Sequence, residues 1–367
     1  MNNVKLLYLY NHKDWAVHNV GKLWLNGIPN IEVTFKEFSQ LTDTDFSRFD
    51  LVWFGYLDLF LQHYCSFLLT NANLDKCLVS IHDPCELFPQ QANWKRTPNL
   101  NLSKWWSLYS WYRWVRLTIL HKVKYVIVVS RELQSILRVN GVKAFLIPTA
   151  SSLPLRNEAE LKTEKCDILS VFAVYPRKNI SLIESIQRYC NDSLKVRFDT
   201  KVGEQILSTD GYTKLIDDHE VYVCTSYQEG GPIPAMDAMQ RGSVVLSTPV
   251  GQLQELVKHG ENGYICETEA EFIAAISLLA KNLPLLHRMR INSLECIQDD
   301  RNVEDMKALA LSVIEEALLL GEGSTDNKER DVFGVIAWLL QRGVYRLGGG
   351  RLGTGVNARI KKFRTRR

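Results

Sequence analysis

The chain holds 367 residues, 46% of them hydrophobic and 23% charged, with a formal net charge of +3 at pH 7. That balance suits a globular protein with room for two buried cores. No apolar stretch reaches the roughly 18 residues of a membrane-spanning helix, and Met1 to Lys5 lead into an apolar run without a signal-peptide pattern, so a cytoplasmic location is expected.

In chain order, Val4 to Tyr10, Ile31 to Phe35, Leu51 to Phe54, Cys77 to His82, Tyr125 to Ser130 and Ala144 to Ile147 read as strands, with helical patterns over Ala16 to Leu25 and Glu132 to Val139. The apolar pattern lapses after Pro148, through the charged stretch Arg156 to Lys165. A second series of strands follows at Asp167 to Val174, Leu194 to Phe198, Val221 to Thr225, Val244 to Ser247 and Tyr264 to Cys266, closed by helices at Ala270 to Leu279 and Val303 to Leu320. The alternation predicts an α/β protein with two doubly wound parallel sheets. Residues 1–150 form the first domain, 151–165 a linker, 166–321 the second domain and 322–367 a basic tail. The eight cysteines, from Cys65 to Cys296, show no Cys-x-x-Cys pair or nearby His spacing suited to zinc and read as reduced core residues.

Ser226 to Gly263 is the most informative stretch. The chain leaves the buried strand at Val221 to Thr225 through Glu229, Gly230 and Gly231, and a helix begins near Pro232, Ile233 and Pro234. In open parallel sheets ligands sit outside the carboxyl ends of the strands, where free N–H groups at a helix start favour an anion. The two glycines let backbone approach a phosphate. Glu229 on the loop and Asp237, expected in the first helical turn, direct two carboxylates into one crevice, where they accept sugar hydroxyl protons. For Asp237 the plain alternative is stabilisation of the helix start.

This stretch resembles the family-four retaining glycosyltransferases of GT-B fold (glycosyl transferases group 1), whose signature is an acid, seven residues and a second acid. Glu229 and Asp237 are the pair, with Gly242, Val250-Gly251, Glu255-Leu256-Val257 and Asn262-Gly263 downstream. Tyr125 to Ser130, Arg131 to Val139 and Leu146 to Pro148 look like the end of the family's first domain, so the resemblance covers about residues 50 to 320. It implies two Rossmann-like domains facing a cleft, the first on the acceptor side and the second binding the donor. It also implies a nucleotide-diphosphate sugar as donor substrate, no cofactor, no bound metal, and retention of anomeric configuration. The first acid then binds the donor sugar and the second the nucleotide ribose, although Asp237 is one methylene shorter than the usual Glu.

Lys178 fits the family's lysine after the first strand of the second domain. The arginine position falls on Ala173, leaving Arg177 as the substitute cation. Two cations there would neutralise a departing diphosphate; the alternative is a solvated basic turn. His82 follows a strand where similar enzymes carry a histidine near the donor sugar or the acceptor hydroxyl. A neutral imidazole can bond sugars or accept a proton, and the alternative is a loop-stabilising hydrogen bond. His12, Asp14 and His18 are secondary candidates, in a region where Asn11 to Trp15 replaces the family's glycine-rich loop. His259 reads as structural.

Trp94 to Lys124 is rich in Trp, Tyr, Lys and Arg and has no acidic side chain. Trp106, Tyr109, Arg113 and Arg116 recur at helical spacing, so a surface helix could face anionic lipid headgroups, unless the aromatics pack inward. Gln341 to Arg367 concentrates basic residues without an acid, and the preceding Val332 to Leu340 is apolar but too short to span a bilayer. An anionic membrane surface, nucleic acid and no specific partner all stay open, the membrane surface favoured.

Together these features describe an enzyme expected in the cytoplasm or peripherally on the inner face of the cell membrane. It would move a sugar from a nucleotide sugar to a lipid-linked or growing surface glycan. Glu229, Lys178, Arg177 and His82 are the catalytic candidates, and Gly230, Gly231, Pro232, Ile233 and Asp237 bind the donor. The rival classes are a phosphorylase, a non-catalytic glycosyltransferase-like subunit of a glycan-assembly complex, and a nucleic-acid-modifying glucosyltransferase.

Overall fold

The computed structural model describes residues 3–66, 74–87, 115–202 and 208–321. The first sheet contains β1 (Val4–Tyr10), β2 (Ile31–Glu37), β3 (Leu51–Phe54), β4 (Cys77–Ile81), β5 (Tyr125–Val128) and β6 (Ala144–Leu146). Its order is β2-β1-β3-β4-β5-β6, with every neighbouring pair parallel. β3, β4 and β5 are buried along their whole length, the pattern of continuous apolar runs covered on both faces. β2, at the edge, has only half-buried and exposed positions.

The second sheet contains β7 (Ile168–Phe172), β8 (Phe198–Val202), β9 (Val221–Cys224), β10 (Val244–Ser247) and β11 (Gly263–Ile265), ordered β11-β10-β9-β7-β8. It too is parallel throughout, and the same logic leaves β9 and β10 wholly buried while the edge strand β8 alternates.

Three expectations are corrected. The strand anticipated at Leu194 to Phe198 begins only at Phe198. The helix Ile180–Tyr189 runs on into a wider turn at Cys190–Leu194, which ends at Lys195 with φ 58°. The helix Val303–Gly321, anticipated as the closing element of the second series, packs on the first domain: Met306, Ala310, Val313, Ile314 and Ala317 join its core, and Tyr125 Oη donates to Glu316 O at 3.0 Å. Each large apolar side chain so buried contributes roughly 1.5–3 kcal/mol, so this helix is tied back to the first domain. Arg116, anticipated on a lipid-facing surface, is buried, with Nη1 2.7 Å from Asp58 Oδ1 and 2.5 Å from Glu86 O. The rest of that anticipated face, Trp106, Tyr109 and Arg113, lies outside the described residues, as do Val332 to Leu340 and the basic tail.

Candidate functional site

The carboxyl ends of β4, β7 and β9 converge where the two domains meet. After β4, His82 and Asp83 enter the short turn Pro84–Glu86, which Asp83 caps by accepting from Cys85 N at 2.9 Å. Glu86 fixes this corner, its carboxylate accepting from the backbone N of Leu57 at 2.9 Å, His82 at 2.6 Å and Asp83 at 2.9 Å. After β7 comes the turn Pro176–Lys178, and Asn179 at φ 51° redirects the chain into Ile180–Tyr189. β9 leads through Ser226 to Glu229.

Four charged side chains meet there. Arg177 Nη1 lies 2.8 Å from Asp83 Oδ2 of the first domain and 2.7 Å from Glu229 Oε2 of the second. It also donates to Gln228 O at 3.0 Å. Lys178 Nζ donates to Glu229 Oε1, which accepts from Ser226 Oγ at 2.7 Å as well. The side chains of Arg177 and Lys178 are 17% and 16% exposed, so they do not form a solvated basic turn.

Burial opposes ionisation of Glu229, but Lys178 and Arg177 outweigh it and hold the carboxyl below its ordinary pKa. Burial raises Asp83, Arg177 offsets this in part, and the negative charge of Glu229 adds to it. For Arg177, burial acts downward, yet the carboxylates of Glu229 and Asp83 keep it above its ordinary value.

Gly230 is required by close approach, since a Cβ there would strike the His82 carbonyl of the opposite domain. Gly251, at φ 46°, turns its missing side chain toward the carbonyls of Glu229 and Gly230. Gly231 lies against Thr149 and Gln252, themselves joined Nε2 to Oγ1 at 2.7 Å. Pro232 occupies the cap of the helix Ile233–Gln240 and offers no side-chain acceptor to its first N–H groups.

Asp237 is corrected in position. No acid lies in the first turn of that helix, which removes the helix-start role. Its carboxylate instead accepts from Ser151 Oγ at 2.6 Å and Tyr212 Oη at 3.0 Å. Burial pushes its pKa up to about 6 against these two hydrogen bonds.

His82 stacks on Trp24 at 5.7 Å and 13°. Burial lowers its pKa to about 4, so the ring is neutral near pH 7, and its buried Nε2 has no hydrogen-bond partner among the described residues. The secondary candidates form a local knot beyond β1. Asp14 N donates to His18 Nδ1 at 2.8 Å, Lys22 Nζ reaches Asp14 Oδ1 at 3.3 Å, and His12 packs on Trp15 at 4.7 Å. His259 meets Tyr264 edge to face at 5.2 Å.

Asp83, Ser226, Glu86, Ser151, Tyr212 and Glu132 were not marked by the sequence as site residues. Glu132 accepts from Gly251 N at 3.2 Å across the domains. Asp83 adjoins His82 and Ser226 lies three residues before Glu229, so both were within reach of a local reading. Glu86 lies three residues after Asp83 and forms a local capping box with it, also within reach of a local reading, whereas Ser151, Tyr212 and Glu132 meet their partners only through the fold.

Residues 207–295 match the family described as glycosyl transferases group 1, bearing out the resemblance seen from Glu229 to Gly263. No curated protein matches the chain. Among solved structures, HepE of Anabaena in complex with UDP and glucose is similar with a TM-score of 0.59 and 13% identity, over 85% of this chain and 99% of HepE. Sucrose-phosphate synthase from Thermosynechococcus elongatus gives 0.57 and 16%, over 88% and all 100% of that chain. A TarM variant from S. aureus, solved with fondaparinux, alpha-GlcNAc-glycerol and UDP, gives 0.55 and 15%, over 72% of this chain but only 55% of TarM. The fold is the GT-B arrangement of two parallel α/β sheets, as the sequence predicts. No helix among the described residues is long and apolar enough to cross a membrane.

Proposed function

We propose, from the match of residues 207–295 to glycosyl transferases group 1, that the chain transfers a sugar from a nucleotide-diphosphate donor to a glycan acceptor with retention of configuration, as in family four. The observation that carries this reading is the cluster of Arg177, Lys178 and Glu229 at strand ends facing the opposite domain. The presence of UDP in the HepE and TarM structures supports UDP as the nucleotide.

Residues 166–300 hold the donor, and residues 1–150, with the helix Val303–Gly321 packed on them, the acceptor. Glu229 orients the donor sugar, while Asp237, fixed by Ser151 and Tyr212, faces the ribose. The bond from the anomeric carbon to the diphosphate oxygen breaks, and a bond to the acceptor oxygen forms on the same face. Arg177, Lys178 and the backbone from Gly230 to Ile233 stabilise the charge that develops on the departing diphosphate. The acceptor proton passes to a phosphate oxygen, with the neutral His82 Nε2 the alternative acceptor in this reading. In this reading the positive charge that faces the diphosphate comes from Arg177 and Lys178 rather than from a metal ion.

The acceptor is a lipid-linked or growing surface glycan, met at the inner face of the membrane through the aromatic and basic residues of Trp94 to Trp114, without the buried Arg116, and the tail Gln341 to Arg367. Sedimentation with anionic and neutral vesicles, of the full chain and a form ending at Leu340, tests this setting: equal recovery with both lipids removes it. A non-catalytic subunit is the second reading, favoured by Ala173 in place of the family's arginine. Thermal-shift and UDP-release assays against a panel of UDP-sugars decide between them. Stabilisation with turnover supports the enzyme, stabilisation without turnover the subunit, and no response to any donor overturns both.

A further inference from the structure

The four-group cluster is electrically balanced: Arg177 and Lys178 are matched by Glu229 and Asp83. A nucleoside diphosphate brings more negative charge, so the cations can face it fully only if a carboxylate withdraws. The two carboxylates are not equivalent. Glu229 belongs to the same domain as both cations and accepts from Lys178, Arg177 and Ser226. Asp83 comes from the opposite domain and meets the cluster through Arg177, its other oxygen being committed to Cys85 N.

We infer that Asp83 is a built-in counter-anion, which pairs with Arg177 and is displaced by the donor diphosphate, so that it sets donor affinity and links donor entry to release of a contact between the domains. This rests on the functional reading above and deepens it. Once displaced, Asp83 stays among acids, with Glu229, Glu86 and Glu132 around it and the Cys85 thiol beside it, and no longer has the Arg177 cation to balance them. A carboxylate in that position takes up a proton from solvent. The upward shift already present with Arg177 in place agrees in direction. Donor binding is then coupled to proton uptake, and affinity falls as pH rises.

Asp83→Asn removes the charge but keeps an oxygen to cap Cys85 N, and Asp83→Ser offers a second capping side chain should the first fold poorly. Calorimetry of UDP binding to the full-length wild-type and variant chains, at mildly acidic and mildly alkaline pH, reads the effect. Both variants are expected to bind UDP about tenfold more tightly than wild type at the alkaline end, the size of one relieved unit-charge competition. Their affinity is also expected to depend less on pH; titration of UDP itself is common to all three proteins and cancels. Wild-type binding accompanied by equal or weaker binding in the variants, or by identical pH slopes, overturns the inference alone. Failure of all three to bind UDP overturns it together with the functional reading.

Discussion

Ser151 Oγ donates to Asp237 Oδ1 at 2.6 Å, joining the segment after β6 to the helix Ile233–Gln240. Tyr212 Oη engages the other oxygen at 3.0 Å. Two hydroxyl donors do not fully offset the burial of this carboxylate, whose pKa rises from 3.8 to about 6.

A raised acid makes stability fall as pH rises. Below 3.8 the group is protonated in both folded and unfolded chains, and between that value and about 6 only the unfolded chain ionises freely. The wild type therefore loses stability across this window, by on the order of 3 kcal/mol at most. Asp237→Asn carries no such charge and is expected to lose less. Urea unfolding of both proteins on either side of the window checks this, and parallel curves would count against it. If Asp237 also faces the ribose, Asp237→Ala weakens UDP binding by calorimetry, whereas a purely structural Asp237 leaves the affinity of the folded protein unchanged.

Glu229→Gln and Lys178→Ala are expected to reduce sugar transfer by about a hundredfold to a thousandfold, the range for losing one contact to developing transition-state charge. Glu229 is 5% exposed and bonded to Lys178, Arg177 and Ser226, and Gln keeps its shape and one acceptor oxygen. Circular dichroism should show an intact fold in both variants. Full transfer activity in Glu229→Gln would remove this residue from the mechanism.

Gly230→Ala places a methyl group against the His82 carbonyl. Because the obstacle is backbone of the other domain, the domains must separate locally, and overpacking of this kind costs about 1–3 kcal/mol. A lowered melting temperature together with weaker UDP binding is expected. An unchanged melting temperature would show that the interface yields freely at this point.

Much of the scaffold is legible because parallel strands buried on both faces appear as uninterrupted apolar runs. β1, β3 and β10 occupy the residues those runs mark, and the helix Ala16–Leu25 follows its own periodicity. What periodicity does not carry is the identity of the surface an element meets. Val303–Gly321 has an apolar stripe whichever domain it covers, and Arg116 looks like a surface cation until Asp58 and the Glu86 carbonyl are placed beside it. The site divides in the same way. Glu229 and Lys178 stand out by spacing, whereas Ser151 and Tyr212 are ordinary residues until folding brings them to Asp237.

His82 supplies the last prediction. Burial lowers its pKa from 6.5 to about 4, so the ring stays neutral while an unfolded histidine takes up a proton. Stability from this residue is fully present above 6.5 and is lost as pH falls through about 4. The loss is on the order of 3 kcal/mol. His82→Gln retains hydrogen-bonding capacity without that titration and should lose less stability across the same interval in urea unfolding. A neutral His82 also places no inflection near pH 6.5 in the rate of sugar transfer, because its charge changes only near pH 4. A transfer profile with a limb near pH 6.5 that disappears in His82→Gln would show that this imidazole titrates in the working enzyme and would overturn the assignment of a buried, neutral ring.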